Sequence, residues 1–347
     1  MRVAVLPERY GHVFSPCASI RLQPFMDELH RNGEVEVRYL LLSEVERFRP
    51  DLVVWHRVSL PSSDEIEVLA DVVRRIGART IYDLDDNLLD LEGHGEQASY
   101  STKKSAVLRS LALAEEVWCS TPRLAERLRR ETASRVVVLP NALDSALWNM
   151  VPPPYEAAGT SGPLRLLYMG TKTHDADFDL LSEAIRLCES ERPGSIELFL
   201  IGVRAAPTAG DNWIRVVSPP PYIGASYPAF VGWFRTLQGF DLGVAPLLSS
   251  LFNDCKSHIK VLDYAAIGLP TLASRMPAYL HLLTTGIDCL HADNDASSWA
   301  NALAGISVDR SRLTSVAEAA RRLVTPEVFA GAVHLRLDRI RKTMLST

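Results

Sequence analysis

FNDCKSHIKVLDYAAIGLPTLAS, residues 252–274, carries three local signals within one short helix. From Lys256 to Ile267 good helix formers recur with a 3.6-residue period, and Gly268 and Pro270 supply the stop. At about 100° per residue, Ile259, Val261, Leu262, Ala265 and Ala266 share one apolar face, while Lys256, Lys260, Asp263 and Ile267 line the opposite stripe. An ammonium in a first helical turn is disfavoured by the helix dipole, unless an anion meets both it and the free backbone N–H groups there. A phosphate suits that position. LPTLAS then reads as a short buried strand, so the unit is helix, tight turn, strand, as in a doubly wound α/β domain. The alternative is a solvated Lys/Lys/Asp face on an ordinary amphipathic helix.

Working outward, 347 residues are enough for two domains with large cores. Apolar residues at 47% and charged residues at 23% are average for a soluble globular chain. A net charge of −5, a pI of about 6.0 and no long basic run argue against nucleic acid or a strongly anionic membrane as partner, so any phosphate site is local. Cys17, Cys119, Cys188, Cys255 and Cys289 are scattered without metal-ligand spacing, which points to neither a zinc site nor a disulfide framework and fits a reducing cytosol. No signal peptide and no 18-residue apolar run is present, so the expectation is a cytoplasmic protein. Peripheral contact with the inner face of a membrane stays open.

The chain opens as βαβ: MRVAVLP is a strand, Ile20 to Arg31 a helix and VEVRYLLL the next strand. Arg21, just after the first strand-to-helix loop, either points at an anion or is a surface arginine. DLVVWHR is a third strand ending at His56 and Arg57, and a helix from Pro61 to Ile76 follows with Ser62, Ser63 and Asp64 as capping chemistry. RTIYDLDDNLLD is a strand running into Asp83, Asp85, Asp86 and Asp90. Three readings of this cluster stand side by side: a divalent-metal site at the D-x-D, a capping or structural role, and a direct role at the acceptor or in catalysis. Residues 92–105 read as a mobile loop beside it. After the strands EEVWCST and SRVVVLP, the run MVPPPYEAAGTSGP has the composition of a linker.

The βα rhythm restarts with LRLLYMG, and its junction with the next helix holds Gly170, Thr171, Lys172, Thr173 and His174, with Asp177 opening the helix. Glycine, hydroxyls, a lysine and a helix N-terminus can together meet a phosphate, although neither GxxxxGK[ST] nor GxGxxG is present. The strands IELFLIG, WIRVVSP and GFDLGVAPL lead back to the opening stretch, and helices over Glu318–Leu323 and Glu327–Met344 end the chain.

Two α/β halves joined near residue 150 suggest a nucleotide handled in an interdomain cleft. At this point VVVLPNALD resembles the V-x-P-N-G-V-D element of GT-B glycosyltransferases in the glycosyl transferase group 1 (family GT4) superfamily, with Asn141 and Asp144 matching. The stretch ending Asp263–Tyr264–Ala265–Ala266–Ile267–Gly268–Leu269–Pro270 is similar to that family's E-x7-E region, Asp263 standing for the second glutamate. Cys255 stands where the first glutamate is expected, and TKTHDAD replaces the family's Arg and Lys pair. A subgroup associated with bacterial surface-polysaccharide clusters, with patterns like Y-D-x-D-D-N, G-x-x-T-H-x-x-D and K-S-x-x-K-x-x-E-Y, looks closest.

The resemblance implies an α/β GT-B fold: an acceptor-side Rossmann-like domain over residues 1–150, a donor domain over 160–325, and a helix over 326–347 packing back on the first domain. It implies transfer of a sugar from a nucleotide-diphosphate-sugar to a glycan or lipid-linked acceptor, without metal or other cofactor. The donor would meet Gly170, Thr171, Lys172, Thr173, His174, Lys256, Ser257 and Lys260, with Asp263 on the ribose. Arg21 and Asp83 would face the acceptor, and Asp85, Asp86 and His56 would carry catalysis. The rival is a GT-B protein that binds a nucleotide sugar or a partner enzyme without catalysis. An epimerase or phosphorylase, or a metal-dependent reaction at Asp83–Asp85, are further readings.

Overall fold

Parallel strands buried on both faces need near-continuous apolar runs, and the runs read above become two six-stranded parallel sheets in a computed structural model of the chain. The structure describes residues 1–92, 95, 97–149, 153–156, 162–170, 175–202, 211–223 and 226–345. The first sheet comprises β1 (Arg2–Leu6), β4 (Glu36–Tyr39), β5 (Leu52–His56), β6 (Arg79–Leu84), β7 (Glu116–Cys119) and β8 (Arg135–Val138), in the order β4-β1-β5-β6-β7-β8. A two-stranded hairpin, β2 (Arg9–Tyr10) with β3 (Val13–Phe14), follows β1. The second sheet comprises β9 (Leu164–Met169), β10 (Ile196–Ile201), β11 (Ile214–Val216), β12 (Leu242–Ala245), β13 (Thr271–Ser274) and β14 (Leu290–Ala292), in the order β11-β10-β9-β12-β13-β14. In each sheet the strand order reverses once, between β1 and β5 and between β9 and β12. Open α/β sheets bind ligands at the carboxyl edge of such a reversal.

Three local expectations change. The helix expected over Ile20–Arg31 is two helices, Pro16–Arg21 and Gln23–Arg31, because Pro24 lacks an N–H and its ring cannot sit over the carbonyl of residue 20 in a continuous helix. The strand expected through Leu42 stops at Tyr39, and Leu42–Phe48 is a helix whose Glu44 carboxylate accepts from the Leu41 N–H at 2.8 Å. Within 92–105, Gln97–Ser101 is helical.

The helix Pro326–Leu345 leaves the second sheet and packs on the first: Phe329, Val333, Leu337 and Ile340 share a core with Leu22, Phe25, Val54 and Trp118. Each such side chain contributes about 1.5–3 kcal/mol when fully buried. Arg336, itself fully buried, lies 3.5 Å over the Phe25 ring and donates to the Pro140 carbonyl at 3.3 Å.

A second crossing runs the same way. Phe252 and Cys255, from the loop after β12, are buried in the core of the first domain with Leu88, Leu89 and Leu124. Three side chains of the first domain hold this loop: Asn87 donates to the Leu251 carbonyl at 3.1 Å, Thr121 Oγ1 to the Cys255 carbonyl at 2.8 Å, and Asn141 Nδ2 to Ser257 Oγ at 2.9 Å. No described helix is long and apolar enough to cross a membrane.

Candidate functional site

Strand ends set the first group. β5 and β6 place His56 and Asp83 side by side at the carboxyl edge, and Asp85 and Asp86 follow in the next turn. His56 is fully buried, with Nε2 3.8 Å from Asp83 Oδ1 and 3.7 Å from Asp85 Oδ1, and neither ring nitrogen is hydrogen-bonded. Arg57 adopts the left-handed φ of 49°, uncommon outside glycine. Its Nη1 donates to Asp85 Oδ1 at 2.8 Å and Asp86 Oδ2 at 2.7 Å, and its Nε lies 3.2 Å from Glu8 Oε2. Burial alone would raise the Asp85 carboxyl, but Arg57, then His56, outweigh it and hold Asp85 well below the usual carboxylate range.

Arg21 is not a surface residue. It is fully buried and bidentate with Asp83, Nε to Oδ1 at 3.0 Å and Nη2 to Oδ2 at 2.7 Å, and its Nη1 reaches the Leu139 carbonyl at 2.5 Å and Asn141 Oδ1 at 3.0 Å. Arg21 and Asp83 were both expected to face the acceptor; each is instead spent on the other. The divalent-metal reading of the acidic cluster meets the same obstacle. Cys17 Sγ and one oxygen each of Asp85 and Asp86 lie within 4.8 Å of one another. The Arg57 guanidinium already pairs with both of these carboxylates.

The second group lies at the reversal of the second sheet. The helix begins at Ile259, not Lys256: residues 253–255 form a 3₁₀ turn, and Lys256 is extended with φ −63° and ψ 158°. Lys256 therefore stands before the helix, with Nζ 4.6 Å from the Phe252 ring centroid. The stripe is not solvated either. Asp263 is 7% exposed, and both Lys260 Nζ and Asp263 Oδ1 are buried without a hydrogen-bond partner. Burial drives the Lys260 ammonium down to about 7, with Asp177 and Asp263 opposing and Lys256 adding to the shift. Burial pushes the Asp263 carboxyl up to about 8 against the pull of Lys260. The neighbouring His258 is held neutral, lowered to about 3 by burial and by His281.

Local folding fixes these positions. Tyr264 Oη accepts from the Met169 N–H at 3.0 Å and donates to the Val244 carbonyl at 3.2 Å, tying the helix to both strands of the reversal. Asp177 Oδ1 accepts from the Leu248 N–H at 2.7 Å, closing the other side. A β-carbon on Gly202, whose φ is +77°, would stand 2.3 Å from the Gly170 carbonyl oxygen, so only glycine fits beside the end of β9. Thr171, Lys172, Thr173 and His174 lie outside the described residues. Clefts of about 450 and 560 Å³ open on the amino edge of this sheet, lined by Pro153 and Leu269 in one and Glu197 and Trp213 in the other; neither touches Lys260 or Asp263.

Buried polar atoms in native proteins are hydrogen-bonded in nine cases of ten or more. Lys260 Nζ, 5.2 Å from the Tyr168 ring centroid, and Asp263 Oδ1 one helical turn on are two such atoms without a hydrogen bond, and groups so placed can meet a ligand's acceptors and hydroxyl donors. The sequence alone singled out both residues. It did not single out Arg57 or Glu8 as a pair, because their meeting depends on β1 and β5 being neighbours; an Arg with two acidic turns opposite was the available signal.

Compared by sequence, the chain matches no protein-family model and no curated protein. Compared by structure, it resembles Anabaena Alr3699/HepE in complex with UDP-glucose, with a TM-score of 0.66 at 12% identity over 98% of this chain and 100% of that one. A glycosyltransferase from Rickettsia africae superposes with a TM-score of 0.61 at 9% identity over 100% and 99% of the two chains. Sucrose-phosphate synthase from Thermosynechococcus elongatus gives 0.57 at 15% identity over 93% and 79%. The chain has the GT-B fold, two Rossmann-like domains each built on a six-stranded parallel sheet.

Proposed function

We propose that the protein transfers a sugar from a nucleotide-diphosphate-sugar to a carbohydrate or lipid-linked acceptor. The observation that carries this reading is the buried Lys260–Asp263 pair, whose Nζ and Oδ1 have no hydrogen-bond partner, at the carboxyl edge of the second sheet's reversal. Lys256 and Lys260 meet the diphosphate, Asp263 meets the ribose hydroxyls, and Gly170 with the residues after it completes the cradle. Fixed cations stabilise the leaving diphosphate as negative charge develops, so the reaction needs no metal; full activity in EDTA is the expected result. HepE, with UDP-glucose bound, lends the reading support from a chain of the same fold.

On the acceptor side, Asp86 is the most open of the paired carboxylates, its side chain 21% exposed against 11% for Asp85. The acceptor hydroxyl meets Asp86 first and gives up its proton there, with Arg57 holding the carboxylate in place and Asp85 and His56 behind it. A base acting on the hydroxyl favours direct displacement and therefore inversion at the anomeric carbon. An acceptor among cell-surface polysaccharides or glycoconjugates is supported by the resemblance of the patterns at Tyr82–Asn87, 170–177 and Lys256–Tyr264 to those of the surface-polysaccharide subgroup.

Binding without catalysis is the second reading, favoured by Cys255: a buried thiol inside the first domain's core offers nothing to a donor sugar. A thermal-shift screen with UDP, GDP, dTDP and their sugars tests the site, since a ligand at 100 times its Kd stabilises by about 2.7 kcal/mol. At least one nucleotide stabilises the parent and fails to stabilise Lys260→Met; if none does, the donor site is not there. Release of free nucleotide from the matching sugar donor, given an acceptor, separates transfer from binding alone.

A further inference from the structure

Asn141 joins the two groups. Its Oδ1 accepts from Arg21 Nη1 at 3.0 Å, and Arg21 is itself clamped on Asp83; its Nδ2 donates to Ser257 Oγ at 2.9 Å, three residues before Lys260. Asn141 is 8% exposed, and Arg21 and Asp83 are fully buried. A guanidinium only donates, so the amide must turn its oxygen to Arg21 and its NH₂ to Ser257. The orientation of the amide is thereby dictated by chemistry. Ser257 Oγ is then an acceptor on this side, and the single hydrogen of its hydroxyl is left to point elsewhere.

We infer that Asn141 is a positioning residue that holds Ser257 as an acceptor, so that the Ser257 hydroxyl hydrogen is presented to the donor's diphosphate. The inference rests on the nucleotide-sugar reading of the second-domain site. It assigns Asp83 and Arg21 a task at the donor, reached through Asn141, in place of one at the acceptor. Asn141→Asp keeps the shape and the bond from Arg21 but reverses the polarity towards Ser257: a carboxylate accepts only, so the hydroxyl donates to it and its hydrogen is withdrawn from the diphosphate.

The test is a double-mutant cycle read by calorimetric titration with whichever of UDP, GDP or dTDP binds the parent, and with the corresponding nucleoside. Asn141→Asp and Ser257→Ala each weaken the nucleotide about tenfold, as expected for one hydrogen bond to a charged group, and leave the nucleoside unchanged. In the Ser257→Ala background, Asn141→Asp adds little, because the hydroxyl whose hydrogen it redirects is gone. Asn141→Leu enters the same cycle should the aspartate variant not fold. Additive losses, equal losses for nucleoside and nucleotide, or parent-like affinity in Asn141→Asp each overturn the inference while leaving the donor site standing. A parent that binds none of the nucleotides overturns the donor reading itself, and this inference with it.

Discussion

Lys260 and Asp263 are displaced by burial in opposite senses, and the signs of the two effects can be separated. The folded Lys260 ammonium releases its proton near pH 7, against 10.5 ordinarily, so between about pH 7 and 10.5 the unfolded chain binds more protons and stability rises with pH. The folded Asp263 carboxyl keeps its proton to about pH 8, against 3.8 ordinarily, so between about pH 4 and 8 the folded chain binds more and stability falls with pH. The pair thus places a stability minimum between about pH 7 and 8 in the ligand-free protein. Urea unfolding across that range should lose its rising limb in Lys260→Met and its falling limb in Asp263→Asn; a minimum surviving both substitutions has another origin. Lys260→Met removes one member of the buried pair and leaves Asp263 without the pull of Lys260, a change that costs about 3–5 kcal/mol where the remaining group is charged. Above about pH 8, where the Asp263 carboxyl is ionised, the variant should melt lower than the parent, and it should gain nothing from nucleotide at any pH. Anionic ligand favours the protonated lysine, so nucleotide affinity falls as pH rises above about 7.

At the level of single elements, the helix Ile259–Ala266 is tied to both strands of the reversal by the hydroxyl of Tyr264. Tyr264→Phe deprives the Met169 N–H and the Val244 carbonyl of a shared partner, a loss of about 1–3 kcal/mol for the buried donor left unpaired. The denaturant midpoint reads it, and the slope should stay that of the parent. This helix also shows where local sequence stops being informative. Its apolar face, its glycine and proline stop and the strand after it were legible, because periodicity and terminators are written in neighbouring residues. Its start was not: Lys256 and Ser257 are acceptable helix formers, and what extends them is the burial of Phe252 and Cys255 in another domain, together with Asn141 more than a hundred positions away. The strands were legible for the opposite reason, since a strand buried on both faces carries its own apolar run. Arg21 read as surface or anion-facing because its partner Asp83 lies 62 residues on, across two strands of the sheet.

The molecule as a whole is two sheets, and the second half of the chain lends two segments to the core around the first. The loop after β12 completes the core of the first domain near Leu124, and the helix Pro326–Leu345 completes it near Phe25. Ending the chain at Thr325 should uncover Phe25, Leu22 and their neighbours, and hydrogen exchange should show β1 and β7 losing protection while β9, β10 and β12 keep theirs; equal protection in both sheets would mean the helix is dispensable. The same feature sets an order on synthesis. The first half of the chain emerges from the ribosome with an apolar face that the much later helix Pro326–Leu345 covers, so its folding is completed only once that helix has been made, and a chaperone or the second domain must shield it meanwhile.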